Sequence, residues 1–142
     1  MAKRISPIFD TSVFSDHTDV INENIINVLF PTIVLFELVA SSIDLSTLKR
    51  YEHWRIALNR EGRLINPTTI DWWETSKAIR RLYLMKSVPL SKLRTIRNDA
   101  VIARLAVTHQ AFVVTHNLSD FEIIQRVMPD LKIFSATDYF NT

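Results

Sequence analysis

The sequence predicts an α/β protein, a parallel sheet with helices packed on both faces. Short β-branched and aromatic runs alternate with helix-period segments along the chain, and no hairpin turn signal joins one run to the next. A chain of 142 residues that is 47% hydrophobic also has enough apolar material for one core, so residues 1–142 are expected to form a single domain.

Ile5 to Phe9 is an apolar run interrupted by Ser6 and Pro7, and it predicts a first strand ending at Asp10. A loop and a helix from about Phe14 to Asn24 follow, then a second strand, Asn27 to Phe30. Thr32 is the expected N-cap of a helix running through Leu38 to Ser41. Asp44 or Ser46 caps the next helix, through Tyr51, Trp54 and Leu58, which stops at Gly62. Arg63 to Asn66 is a brief third strand, and Thr68 or Thr69 caps a helix reaching about Lys86. Pro89 breaks that helix, and Ser91 is the expected cap of the one that carries Asp99. The fourth strand is Phe112 to Thr115, followed by a helix from Ser119 to Val127. A last strand, Lys132 to Phe134, leads into a polar tail.

Composition excludes several chemistries. With no cysteine there are no disulfides, thiolate zinc sites or cysteine nucleophiles, which agrees with a reducing cytoplasm. The single glycine, Gly62, excludes the Gly-rich dinucleotide loop, the P-loop and a GxSxG elbow. The basic start MAKRISPIFD has too short an apolar run for a signal peptide, and no stretch approaches the ~20 apolar residues of a membrane span. His17, His53, His109 and His116 lack metal-ligand spacing. A cytoplasmic protein with no membrane partner is expected.

The net charge is only +2, but Thr75 to Asn98 holds Lys77, Arg80, Arg81, Lys86, Lys92, Arg94 and Arg97 with no acidic residue among them. Such a block fits either a polyanion partner or a solvated helix face. The adjacent Trp72 and Trp73 face different sides of their helix, so one is expected in the core and the other at an interface.

The carboxylates carry the chemistry. Ile102, Ala103 and Ala106 recur at i+3, i+4 and i+7 from Asp99, which puts Asp99 on a face that should be buried. Glu37 lies among apolar neighbours in the helix after the second strand, Asp10 ends the first strand, and Asp120 follows the Thr115-His116-Asn117 turn. In an open parallel sheet ligands gather at the carboxyl ends of the strands, where these residues lie. Each has a plain alternative: a turn or cap residue for Asp10 and Asp120, an arginine partner such as Arg97 or Arg104 for Glu37 and Asp99. Converging without a counter-ion they would repel one another, and all-oxygen ligation favours Mg²⁺ or Mn²⁺ as the ion that resolves this.

Four motifs together resemble the PIN-domain nucleases, and in size and layout the VapC-type toxins of type II toxin–antitoxin systems. They are Phe9-Asp10-Thr11-Ser12, Thr32 to Leu38 (TIVLFEL), Asn98 to Ala103 (NDAVIA) and Val114 to Phe121 (VTHNLSDF). The resemblance implies an α/β/α sandwich around a five-stranded parallel sheet, Mg²⁺- or Mn²⁺-dependent RNA cleavage, a cognate antitoxin and a homodimer. It also implies Asp10, Glu37, Asp99 and Asp120 as the catalytic and metal-binding set, with Ser12, Thr115 and Asn117 in support. Lys77, Arg80, Arg81, Lys92, Arg94 and Arg97 would then hold the RNA backbone. Ser12 stands where the family commonly has Asn, and Asn117 where some members have a further Asp that helps a second metal. Two other readings share this fold: an RNA-processing nuclease without an antitoxin, and a catalytically weak RNA-binding module.

Overall fold

The structure, a computed structural model, describes residues 5–15 and 28–141; most of the helix expected from Phe14 to Asn24 lies outside the described residues. In chain order the elements are β1 (Pro7–Phe9), a 3-10 turn (Thr11–Val13), β2 (Phe30–Pro31), α1 (Thr32–Ala40), α2 (Leu45–Arg60) and β3 (Leu64–Ile65). Then come α3 (Thr69–Met85), α4 (Leu90–Thr95), α5 (Arg97–Thr108), β4 (Phe112–Thr115), α6 (Leu118–Gln125), β5 (Ile133–Ser135) and α7 (Ala136–Phe140). All strand pairs are parallel, as the alternation predicts.

The expected single sheet of five strands is instead two sheets among the described residues, β1-β4-β5 and β2-β3. The prolines give the reason. Phe30 N–H donates to the Arg63 carbonyl on the β3 side, so Leu29 and Pro31, on alternate positions, face β1. Leu29 supplies the one bridging rung, donating to the Pro7 carbonyl at 3.1 Å. The next donor on that side falls at Pro31, which has no N–H.

Local chemistry explains both ends of α2 and the start of α3. Asp44 caps α2 by accepting from the Ser46 hydroxyl and the Thr47 N–H, which hold its carboxyl down to about 2. Gly62, at φ +70, closes the same helix: its N–H reaches the Asn59 carbonyl and that of Arg63 reaches Leu58. Thr68 and Asp71 form a reciprocal capping box at the start of α3. Two expected caps are displaced. Thr32 is the first residue of α1 rather than its cap, and its hydroxyl donates to Asn66 instead. The helix carrying Asp99 does not begin at Ser91, because the chain leaves helical geometry at the fully buried Ile96 and separates α4 from α5.

α5 lies at the centre, with Ala100, Val101, Ile102, Ala103, Leu105 and Ala106 all buried. Alanines at 100, 103 and 106 let neighbouring elements approach closely on that face. α3 packs against α5 through a buried stripe of Asp71, Thr75, Ala78 and Leu82, at i, i+4, i+7 and i+11. Positions 72 and 73 turn about 100° and 200° away from the head of that stripe. Trp72 and Trp73 are therefore both exposed, 51% and 63%, and neither is in the core. The expected polar tail is also corrected: α7 is a helix whose Tyr139 and Phe140 pack on Phe9 at 5.8 and 5.6 Å between ring centres. Aromatic rings want apolar contact, and the end of β1 offers it.

Arg104 of α5 donates to the buried Asp71 of α3 at 2.9 Å, and Thr68 N–H donates to the other carboxylate oxygen at 2.8 Å. Burial pulls the Asp71 carboxyl up, but the Thr68 N–H and the guanidinium outweigh it and leave it below the usual range. Replacing Arg104 leaves this carboxylate with backbone and hydroxyl partners only. Arg104→Met is expected to cost about 2–4 kcal/mol in urea unfolding at pH 7. A lowered native pKa gives stability above the unfolded value near pH 4 that is lost as pH falls through the native one, so the gap should narrow below pH 4.

Candidate functional site

Asp10 is placed by the end of β1. Its N–H donates to the Val114 carbonyl and its carbonyl accepts from Val13 N–H, so the backbone passes from ladder to 3-10 turn within one residue. The side chain of this residue, which is 2% exposed, is fixed by two hydroxyls: Ser12 Oγ and Thr115 Oγ1 each donate to Asp10 Oδ2 at 2.7 Å. Both hydroxyls are themselves oriented by backbone donors. His116 N–H donates to Ser12 Oγ at 3.1 Å, and Asn117 N–H donates to Thr115 Oγ1 at 2.8 Å. Since each hydroxyl oxygen accepts from an amide, its own proton is directed at the carboxylate. Two relays of amide, hydroxyl and carboxylate thus lock one oxygen of Asp10 and leave Oδ1 outside them.

The other three carboxylates border the same crevice. Asp99 stands in the first turn of α5 and is partly buried. Burial, then the charges of Asp10, Asp120 and Glu37 in that order, push its carboxyl up to about 8; the Lys92 ammonium opposes them without prevailing. Glu37 of α1 accepts from the Thr11 hydroxyl at 2.9 Å through Oε1. Asp120, in the first turn of α6, accepts from Lys92 Nζ at 2.9 Å. The carboxylates expected from the sequence are thus electrostatically one group. Arg104, the alternative partner for such a carboxylate, is taken by Asp71.

The donor set is all oxygen and strongly anionic, which fits a hard divalent cation that keeps much of its own water. Among the described residues no three Asp, Glu or His side chains close around an ion by themselves. Asp10 and Asp99 are the residues that could hold one, with Glu37 and Asp120 within reach only through the ion's own water. Two contacts were not legible from the sequence: Thr11 on Glu37, and Lys92 on Asp120. Thr11 stands inside the Phe9-to-Ser12 motif, but nothing marks its hydroxyl for a helix residue 26 positions on. Asn117 contributes its backbone N–H to the Thr115 relay, while its side chain is exposed.

The basic residues divide. Lys92 is turned to Asp120, Lys77 pairs with Glu74, and Arg81 donates to the Val127 carbonyl. Arg80, Arg94 and Arg97 lie outside the ion pairs found among the described residues, and Arg94 and Arg97 are exposed.

An acid whose native pKa is raised binds its proton more tightly folded than unfolded. The stability this gives is complete below the unfolded value near pH 4 and lost as pH rises through about 8. Asp99→Asn mimics the protonated form at every pH. It should therefore melt above the unsubstituted, metal-free protein at pH 8 and close to it at pH 4.5, by calorimetry with EDTA present. A variant that melts lower at pH 8 would contradict the raised pKa.

No protein-family model matches the chain, and no curated protein sequence does. Solved structures do. A chain of the DNA-bound VapBC from Salmonella typhimurium is 22% identical with a TM-score of 0.59, covering 94% of this chain and 99% of that one. A chain of VapBC2 from Rickettsia felis, bound to a DNA fragment from its promoter, is 20% identical with a TM-score of 0.60, covering 92% and 98%. A chain of FitAB bound to an IR36 DNA fragment reaches a TM-score of 0.63 at 15% identity, covering 92% and 94%. Over nearly its whole length, this chain has the VapC-like fold that its motifs resemble.

Proposed function

We propose that the protein is a Mg²⁺- or Mn²⁺-dependent endoribonuclease and the toxin of a type II toxin–antitoxin pair. The observation that supports this most is the convergence of Asp10, Glu37 and Asp120 on Asp99 at the carboxyl ends of β1 and β4. Such a group has no use in a plain core, where a carboxylate seeks an arginine as Asp71 does. It suits a site that receives a cation and then a phosphodiester.

When bound, a divalent ion supplies Lewis acidity, lowering the pKa of an attacking water and offsetting charge on the scissile phosphate. Asp10 and Asp99 would hold it, with Glu37 and Asp120 reached through its own water. The chain's own residues do the rest. Ser12 and Thr115 keep Asp10 in one rotamer, and Thr11 steadies Glu37. Arg80, Arg94 and Arg97, with Lys77 and Arg81 on α3, would track the RNA backbone through its phosphates. An RNA substrate and the absence of cysteine both favour the cytoplasm as its compartment.

The VapBC and FitAB complexes to which the chain is similar support a cognate antitoxin as partner. The protein also has apolar surface to offer one: Phe36 on α1, Ile43 and Leu45 at the start of α2, and both tryptophans of α3 are exposed. A homodimer belongs to the same reading.

Purified protein should cut structured RNA with Mn²⁺ and stop on EDTA. Asp99→Asn should fall to background while keeping its circular dichroism spectrum. Binding without product would favour the RNA-binding module instead. Arg80→Ala and Arg94→Ala should weaken RNA binding across sequences and each reduce the salt slope by about one. Expression alone should arrest growth, and co-expression of the neighbouring antitoxin should relieve it.

A further inference from the structure

Four carboxylates are more than one hexacoordinate ion uses, because Mg²⁺ keeps several waters and takes about one or two carboxylates from a protein. The excess charge needs another cation. The structure provides it from α4: Lys92 Nζ lies 2.9 Å from Asp120 Oδ1, and the Asp120 side chain is only 19% exposed. Lys92 is the basic residue whose charge reaches Asp99. The hydrogen bonds divide the crevice in two. At one end Asp10 Oδ2 is held by Ser12 and Thr115 and Glu37 Oε1 by Thr11, which leaves Asp10 Oδ1 and Glu37 Oε2 outside those hydrogen bonds. At the other end Asp120 already has its ammonium.

We propose that Lys92 is a resident counter-ion that takes the charge position of a second divalent cation, so that the site binds one metal ion per chain. This rests on the metal-dependent reading above. Its location explains why a lysine serves. The short α4 ends before Ile96, and a four-carbon stem reaching from Lys92 brings a compact monovalent charge to Asp120 without consuming other ligands. The ammonium leaves part of its own surface in solvent, 42% for the side chain, and so also faces an incoming phosphate.

The test is a count of ions. Isothermal titration of the metal-free full chain with Mn²⁺ is expected to give one ion for the unsubstituted protein and for Lys92→Arg. Lys92→Met, which keeps the stem and removes the charge, should take up two. Asp120→Asn should still bind one ion with affinity changed less than about tenfold, since loss of an orienting or ligating group costs about 10–100-fold. Thermal melting without metal checks that each variant is folded, and Asp120→Asn carries the test if Lys92→Met does not fold. Two ions in the unsubstituted protein, one ion in folded Lys92→Met, or loss of the first ion in Asp120→Asn would each overturn the proposal. No Mn²⁺ uptake by the unsubstituted protein would instead overturn the metal-dependent reading on which it stands.

Discussion

Like charges held close together at low dielectric are the constraint around which this molecule is arranged. Asp99 enters the crevice from the buried face of α5, and Asp10, Glu37 and Asp120 meet it from three other elements. In water four such groups would drift apart. Here three of them are tied to partners: Asp10 to two hydroxyls, Glu37 to Thr11, Asp120 to Lys92. The repulsion collects on Asp99, which is partly buried among them and whose carboxyl is pushed up to about 8. In the proposed function, a divalent cation would take the place of that proton.

The scaffold serves this arrangement. β4 lies between β1 and β5, so the residues that follow β1 and β4 come side by side at one end of the sheet. That adjacency allows Thr115 to reach Asp10 across 105 residues of sequence. α5 is buried from Ala100 to Ala103 and again at Leu105 and Ala106, and Asp99 stands in its first turn beside that buried stretch. The Asp71–Arg104 pair is a contrasting case, in which the same fold gives a buried carboxylate an arginine and a capped helix end and so leaves it fully neutralised.

Much of this was legible in the chain. The helix stripes around Tyr51, Trp54 and Leu58, the Gly62 stop, the Asp44 cap and the β4 run all follow from local rules of period and capping, and all stand where those rules put them. The acidic residues at strand ends were legible for the same reason, as was Asp99 on an apolar face. Errors fell where a neighbour in space decided. Thr32 turns its hydroxyl to Asn66, a residue 34 positions away, and Pro31 stands at the cap position instead. Trp72 and Trp73 look like core material by composition, yet Asp71 heads the buried stripe because Arg104 waits for it on α5. The polar-looking end of the chain carries Tyr139 and Phe140 onto Phe9.

The sequence by itself determined the order and type of most elements, though not α7 or the break between α4 and α5, and which carboxylates lie at their ends, because periodicity, caps and breakers act within a few residues. Only the tertiary structure decided what each charge meets: Lys92 with Asp120, Arg104 with Asp71, two hydroxyls on a single oxygen of Asp10. It also decided that the five parallel strands among the described residues form two sheets, since Pro31 interrupts the seam only once β1 and β2 lie side by side. Partners of this kind depend on how helices and strands are set against one another, and no local spacing encodes that.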